Sequence, residues 1–102
     1  MEIDMGFRAV KARILKCLER GEVSHEQRGE IDVKNLLAIG EVSLSDVAKI
    51  IARARGDSYS TSPHHMVPSI DVHVIKARHG SQDWYIKWYF VDPSAVFMSV
   101  HH

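Results

Sequence analysis

From Trp84 to Phe90 the chain reads Trp-Tyr-Ile-Lys-Trp-Tyr-Phe, and the runs from Ile70 to Ala77 and from Ala95 to His101 alternate in a similar way. Successive side chains of a strand point to opposite faces of a sheet, so this period of two fixes extended segments with one apolar side. Gly80-Ser81-Gln82 and Asp92-Pro93-Ser94 supply turns between the runs. Together they predict a three-stranded antiparallel β-meander over residues 70–101.

Facing residues on neighbouring strands must share a side of the sheet, which excludes half of the pairings. A three-residue turn at Asp92-Pro93-Ser94 sets Lys87 opposite Ser99 and Tyr85 opposite His101, and a turn around Gly80 sets His73 opposite Lys87 or Tyr89. The predicted core face holds Ile70, Val72, Val74, Trp84, Ile86, Trp88, Phe90, Val96, Met98 and Val100. The predicted solvent face holds Asp71, His73, Tyr85, Lys87, Tyr89, Ser99 and His101, with Ile75, Val91 and Phe97 as apolar exceptions.

Ahead of the sheet, Phe7, Val10, Ile14, Leu15, Cys17 and Leu18 recur at helical steps until Gly21 stops the pattern. A further helix carries Leu44, Val47, Ile50, Ile51 and Ala54 behind a cap at Ser43 or Ser45, with Gly56 as its stop. Between the two, residues 24–31 read as a short helical turn or an irregular link, and a short helix is expected from Asp32 to Gly40. From Asp57 to Ser69 the turn formers and two prolines predict a long loop. The expected fold class is α+β, with N-terminal helices (6–56) packed on one face of the C-terminal three-stranded meander (70–101) through the loop 57–69. At 102 residues and 45% apolar content, one domain spanning 1–102 can bury one core.

Lysine and arginine number 13 and so do aspartate and glutamate, so no bulk basic field drives binding to nucleic acid and any such contact must be local. A single cysteine excludes an internal disulfide, and Cys17 reads as a small buried hydrophobe at helical spacing from Ile14 and Leu18. No apolar run reaches the roughly 20 residues of a membrane span or has the pattern of a secretory signal, which predicts a cytoplasmic chain with no membrane contact. Phosphate loops, dinucleotide fingerprints and serine-hydrolase elbows are missing from the sequence.

The solvent face gathers two imidazoles, an ammonium and two phenols on adjacent strands. Cross-strand Cβ atoms lie about 4.5–5.5 Å apart, close enough for such groups to address one ligand atom together. His64 and His65, at the end of the long loop, can hang over the same face, and imidazole is the natural proton carrier near neutral pH. The plain alternative is a solvated face of an antiparallel sheet, where polar residues are ordinary. Arg28 in the link holds a phosphate or is merely solvated, while Arg53 and Arg55 suit the negative end of a helix. No metal is expected, because His64 and His65 are adjacent rather than four apart on a helix and have neither a cysteine pair nor paired carboxylates nearby.

Val10-Lys11 through Leu18, Gly21 to Val23, Leu44 to Ile51, Asp71-Val72-His73, Tyr85-Ile86-Lys87 and Val96 to Val100 together resemble the MqsR toxins, whose fold is akin to RelE and the wider barnase, colicin-nuclease and EndoU-like group. The resemblance covers nearly the full chain in order and spacing through short motifs. It implies a metal-independent endoribonuclease that acts on messenger RNA and is silenced by a partner antitoxin. Tyr85 and Lys87 stand where the family has a Tyr-x-Lys strand, and Tyr59 stands where it has a loop tyrosine. The chain departs from the family at Ser60, Ile70 and His101, where the family has lysine, glutamine and lysine.

These departures suggest that histidine replaces lysine, as in the EndoU-like and colicin relatives. RNA is cut without metal when a base takes the 2′-hydroxyl proton, a cation stabilises the phosphorane and an acid protonates the leaving 5′ oxygen. His64 or His65, Lys87 and His101 are the expected catalytic groups, with Tyr85 positioning the phosphate. Arg28, Tyr59, His73, Tyr89 and Ser99 are the expected substrate contacts. The expected partners are RNA and an antitoxin protein, with no small-molecule cofactor. Two alternatives stay open: a non-catalytic module that binds RNA or protein on Tyr85, Lys87 and Tyr89, and a nuclease whose substrate is transfer RNA.

Overall fold

The computed structural model describes residues 2–26 and 35–102, with side chains from residue 6 onward. Helix α1 (Glu2–Arg20) buries Phe7, Ile14, Cys17 and Leu18 along one stripe. Gly21 ends it in the left-handed region at φ 71°, and the Glu22 N–H reaches back to the Cys17 carbonyl at 2.9 Å. That geometry favours glycine, because a Cβ crowds the backbone there. Helix α2 (Leu44–Arg53) starts at Ser43, whose hydroxyl accepts from the Asp46 N–H at 3.0 Å while the Asp46 carboxylate accepts from the Ser43 N–H at 3.0 Å. This reciprocal capping box satisfies two donors that a bare helix start leaves open.

The sheet has five strands: β1 (Val23–His25), β2 (Tyr59–Pro63), β3 (Asp71–His79), β4 (Gln82–Val91) and β5 (Ser94–His101), in the spatial order β1-β5-β4-β3-β2. β1 runs parallel to β5, and the other neighbours are antiparallel. The α+β class therefore holds, but the sheet is five-stranded and mixed rather than a three-stranded meander. β2 replaces half of the expected loop 57–69. Its sequence, Tyr-Ser-Thr-Ser-Pro, lacks an apolar period because it is an edge strand whose one large side chain, Tyr59, stacks on Phe7 at 4.6 Å. Pro63 is tolerated at the end of an edge strand, where its missing N–H removes little pairing. β1 replaces the start of the expected link 24–31, and three residues are too few to carry a period.

The expected helix from Asp32 to Gly40 lies partly outside the described residues. Asn35 to Gly40 forms a parallel bridge from Asn35 to Val100 followed by turns. Among the described residues no helix is long and apolar enough to cross a membrane.

Both helices cover one face of the sheet. Trp88, Phe97, Ile75, Ile86 and Val100 meet Ile14, Val47 and Ile51 in a core whose members are almost wholly removed from water. Fully burying one such side chain stabilises the fold by about 1.5–3 kcal/mol. β3 lies in the opposite parity to the one expected. His79 pairs with Gln82 across a two-residue turn, so His73 faces Trp88 and Ile75 faces Ile86 beneath the helices, while Val74 faces Lys87 on the other side. Phe97 and Ala95 likewise belong to the helix side, facing Trp88 and Phe90. Val72, Val74 and Met98, expected in the main core, form a second apolar cluster on the open face with Tyr85 and Tyr89 packed against it.

Candidate active site

Tyr85, Lys87 and Tyr89 alternate with the buried Trp84, Ile86 and Trp88 and so project from the face that the helices leave open. Tyr85 pairs with His101 and Lys87 with Ser99, as the sequence predicts. The tyrosine and imidazole ring centres lie 5.2 Å apart. Strands are spaced about 4.8 Å apart and alternate residues of one strand about 6.8 Å, so these four residues stand at the corners of a rectangle of roughly 5 by 7 Å. Lys76 faces Tyr85 from β3 and holds its ammonium 5.8 Å from the centre of that ring.

The histidine loop closes the other end of this face. His64 is buried, with its ring edge-on to Tyr89 at 5.0 Å, and His65 stacks outside it at 5.0 Å with its own ring exposed. The His64 Nδ1 accepts from the Met66 N–H at 3.0 Å and the Val67 N–H at 3.2 Å. That leaves the ring proton on Nε2, which donates to a Glu26 carboxylate oxygen at 3.0 Å. The same oxygen accepts from the Tyr89 hydroxyl at 3.1 Å. Both nitrogens of His64 are thus engaged with the protein, which suits a post and not a proton carrier.

Glu26 follows β1 and is held beside β5 by the bond from its N–H to the Phe97 carbonyl at 3.0 Å. Sequence reading misses this residue. It lies 38 positions from His64, and no local spacing links a carboxylate after a three-residue strand to an imidazole in a distant loop.

Two expected substrate contacts stand on the wrong side of the sheet. Tyr59 and His73 lie beneath the helices, where the Tyr59 hydroxyl pairs with the His73 Nδ1 at 2.8 Å. Burial lowers the His73 pKa below its ordinary 6.5, Asp71 opposing the shift and Arg13 adding to it. Burial, helped by Asp71, raises the Tyr59 phenol above 10.0. The one-residue difference in the β3–β4 turn puts both groups there. Arg28, the remaining expected contact, lies outside the described residues.

His25 also faces the helix side, 3.1 Å from the Asn35 amide nitrogen, and burial lowers its pKa. Among the described residues no three His, Cys, Asp or Glu side chains gather as a metal-binding group. No protein-family model and no curated protein matches the chain.

The open face therefore offers the ammonium groups of Lys76 and Lys87, with His101 beside Tyr85 and with His65 stacked outside the His64 ring that meets Tyr89. Around Lys87 stand the phenol of Tyr85, suited to hydrogen-bond a phosphate oxygen, and the hydroxyl of Ser99, which is buried. Val72, Val74 and Met98 give this polar strip an apolar floor.

Proposed function

We propose that the chain is a metal-independent endoribonuclease, the toxin of a toxin–antitoxin pair, that cuts messenger RNA by attack of a 2′-hydroxyl on the adjacent phosphate. The observation that carries the reading is the placement of Lys87 between Tyr85, Ser99 and His101 on the sheet face opposite the two helices. One imidazole, His65 or His101, takes the 2′-hydroxyl proton as the P–O2′ bond forms. Lys87 balances the added charge of the phosphorane, with Tyr85 and Ser99 orienting its oxygens. The other imidazole delivers a proton to the 5′ oxygen as the P–O5′ bond breaks. The products are a 2′,3′-cyclic phosphate and a free 5′-hydroxyl. An antitoxin silences this chemistry by covering the open face.

A second reading follows from the Lys76 ammonium over the Tyr85 ring and the Tyr85–His101 contact. These also suit a platform on which bases stack without being cut. Incubation of the purified chain with messenger RNA and EDTA separates the two. Cyclic-phosphate ends that vanish in Lys87→Ala support the nuclease. Retained binding without cleavage leaves the platform. Transfer RNA in the same assay tests the alternative substrate.

A further inference from the structure

The zero net charge of the chain conceals a separation of charge. Helix α1 carries Arg8, Lys11, Arg13, Lys16 and Arg20 against Glu2, Asp4 and Glu19, and over residues 44–55 the second helix and its end carry Lys49, Arg53 and Arg55 against Asp46 alone. Arg20 and Arg53 lie in the last turns, where the helix dipole accounts for them. Arg55, just past the end of α2, suits the same negative terminus, and Arg13 lies over the Phe90 ring, whereas Arg8, Lys11, Lys16 and Lys49 lie before the last turns. Among the described residues only Arg13 of this group has a carboxylate within ion-pairing distance, Asp92 at 3.8 Å.

Three of these cations meet where α1 passes the end of α2. Phe7, Arg8 and Lys11 face Ala54, Arg55, Gly56 and Asp57 across a cleft of about 650 Å³. Lys11 is fixed there by a bond from its ammonium to the Ala54 carbonyl at 2.8 Å, so its charge stays at the cleft wall. Among the described residues that line the cleft, Asp57 is the one opposing charge. Arg13, Lys16 and Arg20 lie on another flank of α1, beside Glu22 and Asp92. Cations on two flanks of one helix suit a chain of phosphates that passes over it better than a single small anion.

We propose that this helical layer is a second RNA contact, which grips the phosphate backbone with the Arg8–Lys11–Arg55 cleft as its anchor, on the side of the sheet opposite Lys87. The choice of RNA as the polyanion rests on the ribonuclease reading. The open face has Lys76, Arg78 and Lys87 among its described strand residues, and Arg78 is paired with Asp83 at 3.0 Å, which leaves few cations there to hold a polyanion by charge. Gripping from behind supplies the missing affinity and favours a folded RNA that presents one segment to the helices and another to the open face. Guanidinium groups fit phosphate oxygens through paired donors, which suits Arg8 and Arg55 to this task.

The test is fluorescence anisotropy of the full chain with a labelled 2′-O-methyl RNA hairpin, which cannot be cut by 2′-hydroxyl attack, over a range of salt concentrations. Arg8→Glu and Arg55→Glu are each expected to lower affinity about fivefold and to reduce the slope of log affinity against log salt by about 1. Arg78→Glu changes net charge equally at the β3–β4 hairpin and is expected to leave the slope at its wild-type value. An Arg78→Glu effect equal to that of the helical variants, or no effect in any variant, overturns the proposal. Tighter binding of polyglutamate than of the hairpin also overturns it, in favour of an acidic protein partner. If the helical variants lose binding but wild type never cuts unmodified RNA, the ribonuclease reading falls and the RNA contact stands. Cleavage with unchanged binding in both helical variants leaves the nuclease and removes the contact.

Discussion

His64 donates its Nε2 proton to Glu26 at 3.0 Å from a loop 38 residues further along the chain, and this bond ties the histidine loop to the end of β1. The ring is buried, and its Nδ1 accepts from the Met66 and Val67 N–H groups.

His64→Ala leaves those backbone donors without a partner and removes one of the bonds to the Glu26 carboxylate, a loss of about 1–3 kcal/mol for buried groups. The expected outcome is a lower urea midpoint at unchanged m-value, with His65→Ala within about 0.5 kcal/mol of wild type because its ring is exposed. Equal destabilisation by the two substitutions would show that the loop is held by something other than His64.

The same geometry divides the labour among the imidazoles. His101 stands beside Tyr85 and His65 is exposed outside His64, whereas both nitrogens of His64 are engaged. His65→Ala and His101→Ala should each lower the RNA cleavage rate by about 10²–10⁴, the usual contribution of a general acid or base, with thermal midpoints close to wild type. Cleavage at the wild-type rate in the double variant removes the assignment of both groups.

A pH dependence of stability follows from the imidazoles on the other side. Burial lowers the pKa of both His73 and His25 from the ordinary 6.5. The unfolded chain takes up these protons below about pH 6.5, and the folded chain resists until the pH reaches its lower values. Stability is therefore fully present above about pH 6.5 and is lost as the pH falls through the depressed values. Urea midpoints measured from about pH 7.5 down to about pH 5 should drop, and His73→Gln should flatten part of that drop. An identical slope in the variant would mean that His73 takes up its proton equally well in the folded state.

Much of the fold was legible because its signals are local. The stripe from Phe7 to Leu18, the Ser43 cap, the Gly21 stop and the alternation of β4 each express one element's own packing. β1 and β2 were not legible: a three-residue strand has no period, and the edge strand Tyr59–Pro63 buries only its tyrosine. The pairing of Tyr85 with His101 was read correctly through two compensating shifts. Ser94 pairs with Val91 across a turn of two residues instead of three, and a bulge between Lys87 and Trp88 restores the expected register beyond it. No compensation follows the β3–β4 turn, so β3 is displaced by one residue and His73 and Tyr59 leave the candidate site. Glu26 was invisible because its partners are distant in sequence.

That uncompensated turn rests on Gly80 and Ser81, with φ values of 59° and 64°. Two successive positive φ angles are the mark of a tight hairpin turn matched to strand twist, and the second position favours glycine. Ser81 occupies it with a Cβ, and the bonds from its hydroxyl to the Gly80 carbonyl at 2.6 Å and from Arg78 to its own carbonyl at 3.3 Å hold it there on an exposed surface. Replacing it by glycine relieves the left-handed strain, offset by the loss of the hydroxyl bond and by greater freedom in the unfolded chain. Ser81→Gly is expected to raise stability by about 0.5–1 kcal/mol, and Ser81→Val to lower it, since a β-branched side chain resists positive φ. Denaturation midpoints measure the energies. Loss of His73 burial in the valine variant, seen as a His73 proton resonance titrating at its ordinary value, would reveal a slip of β3 towards the three-residue turn and confirm that this pair of residues sets which imidazole faces the helices.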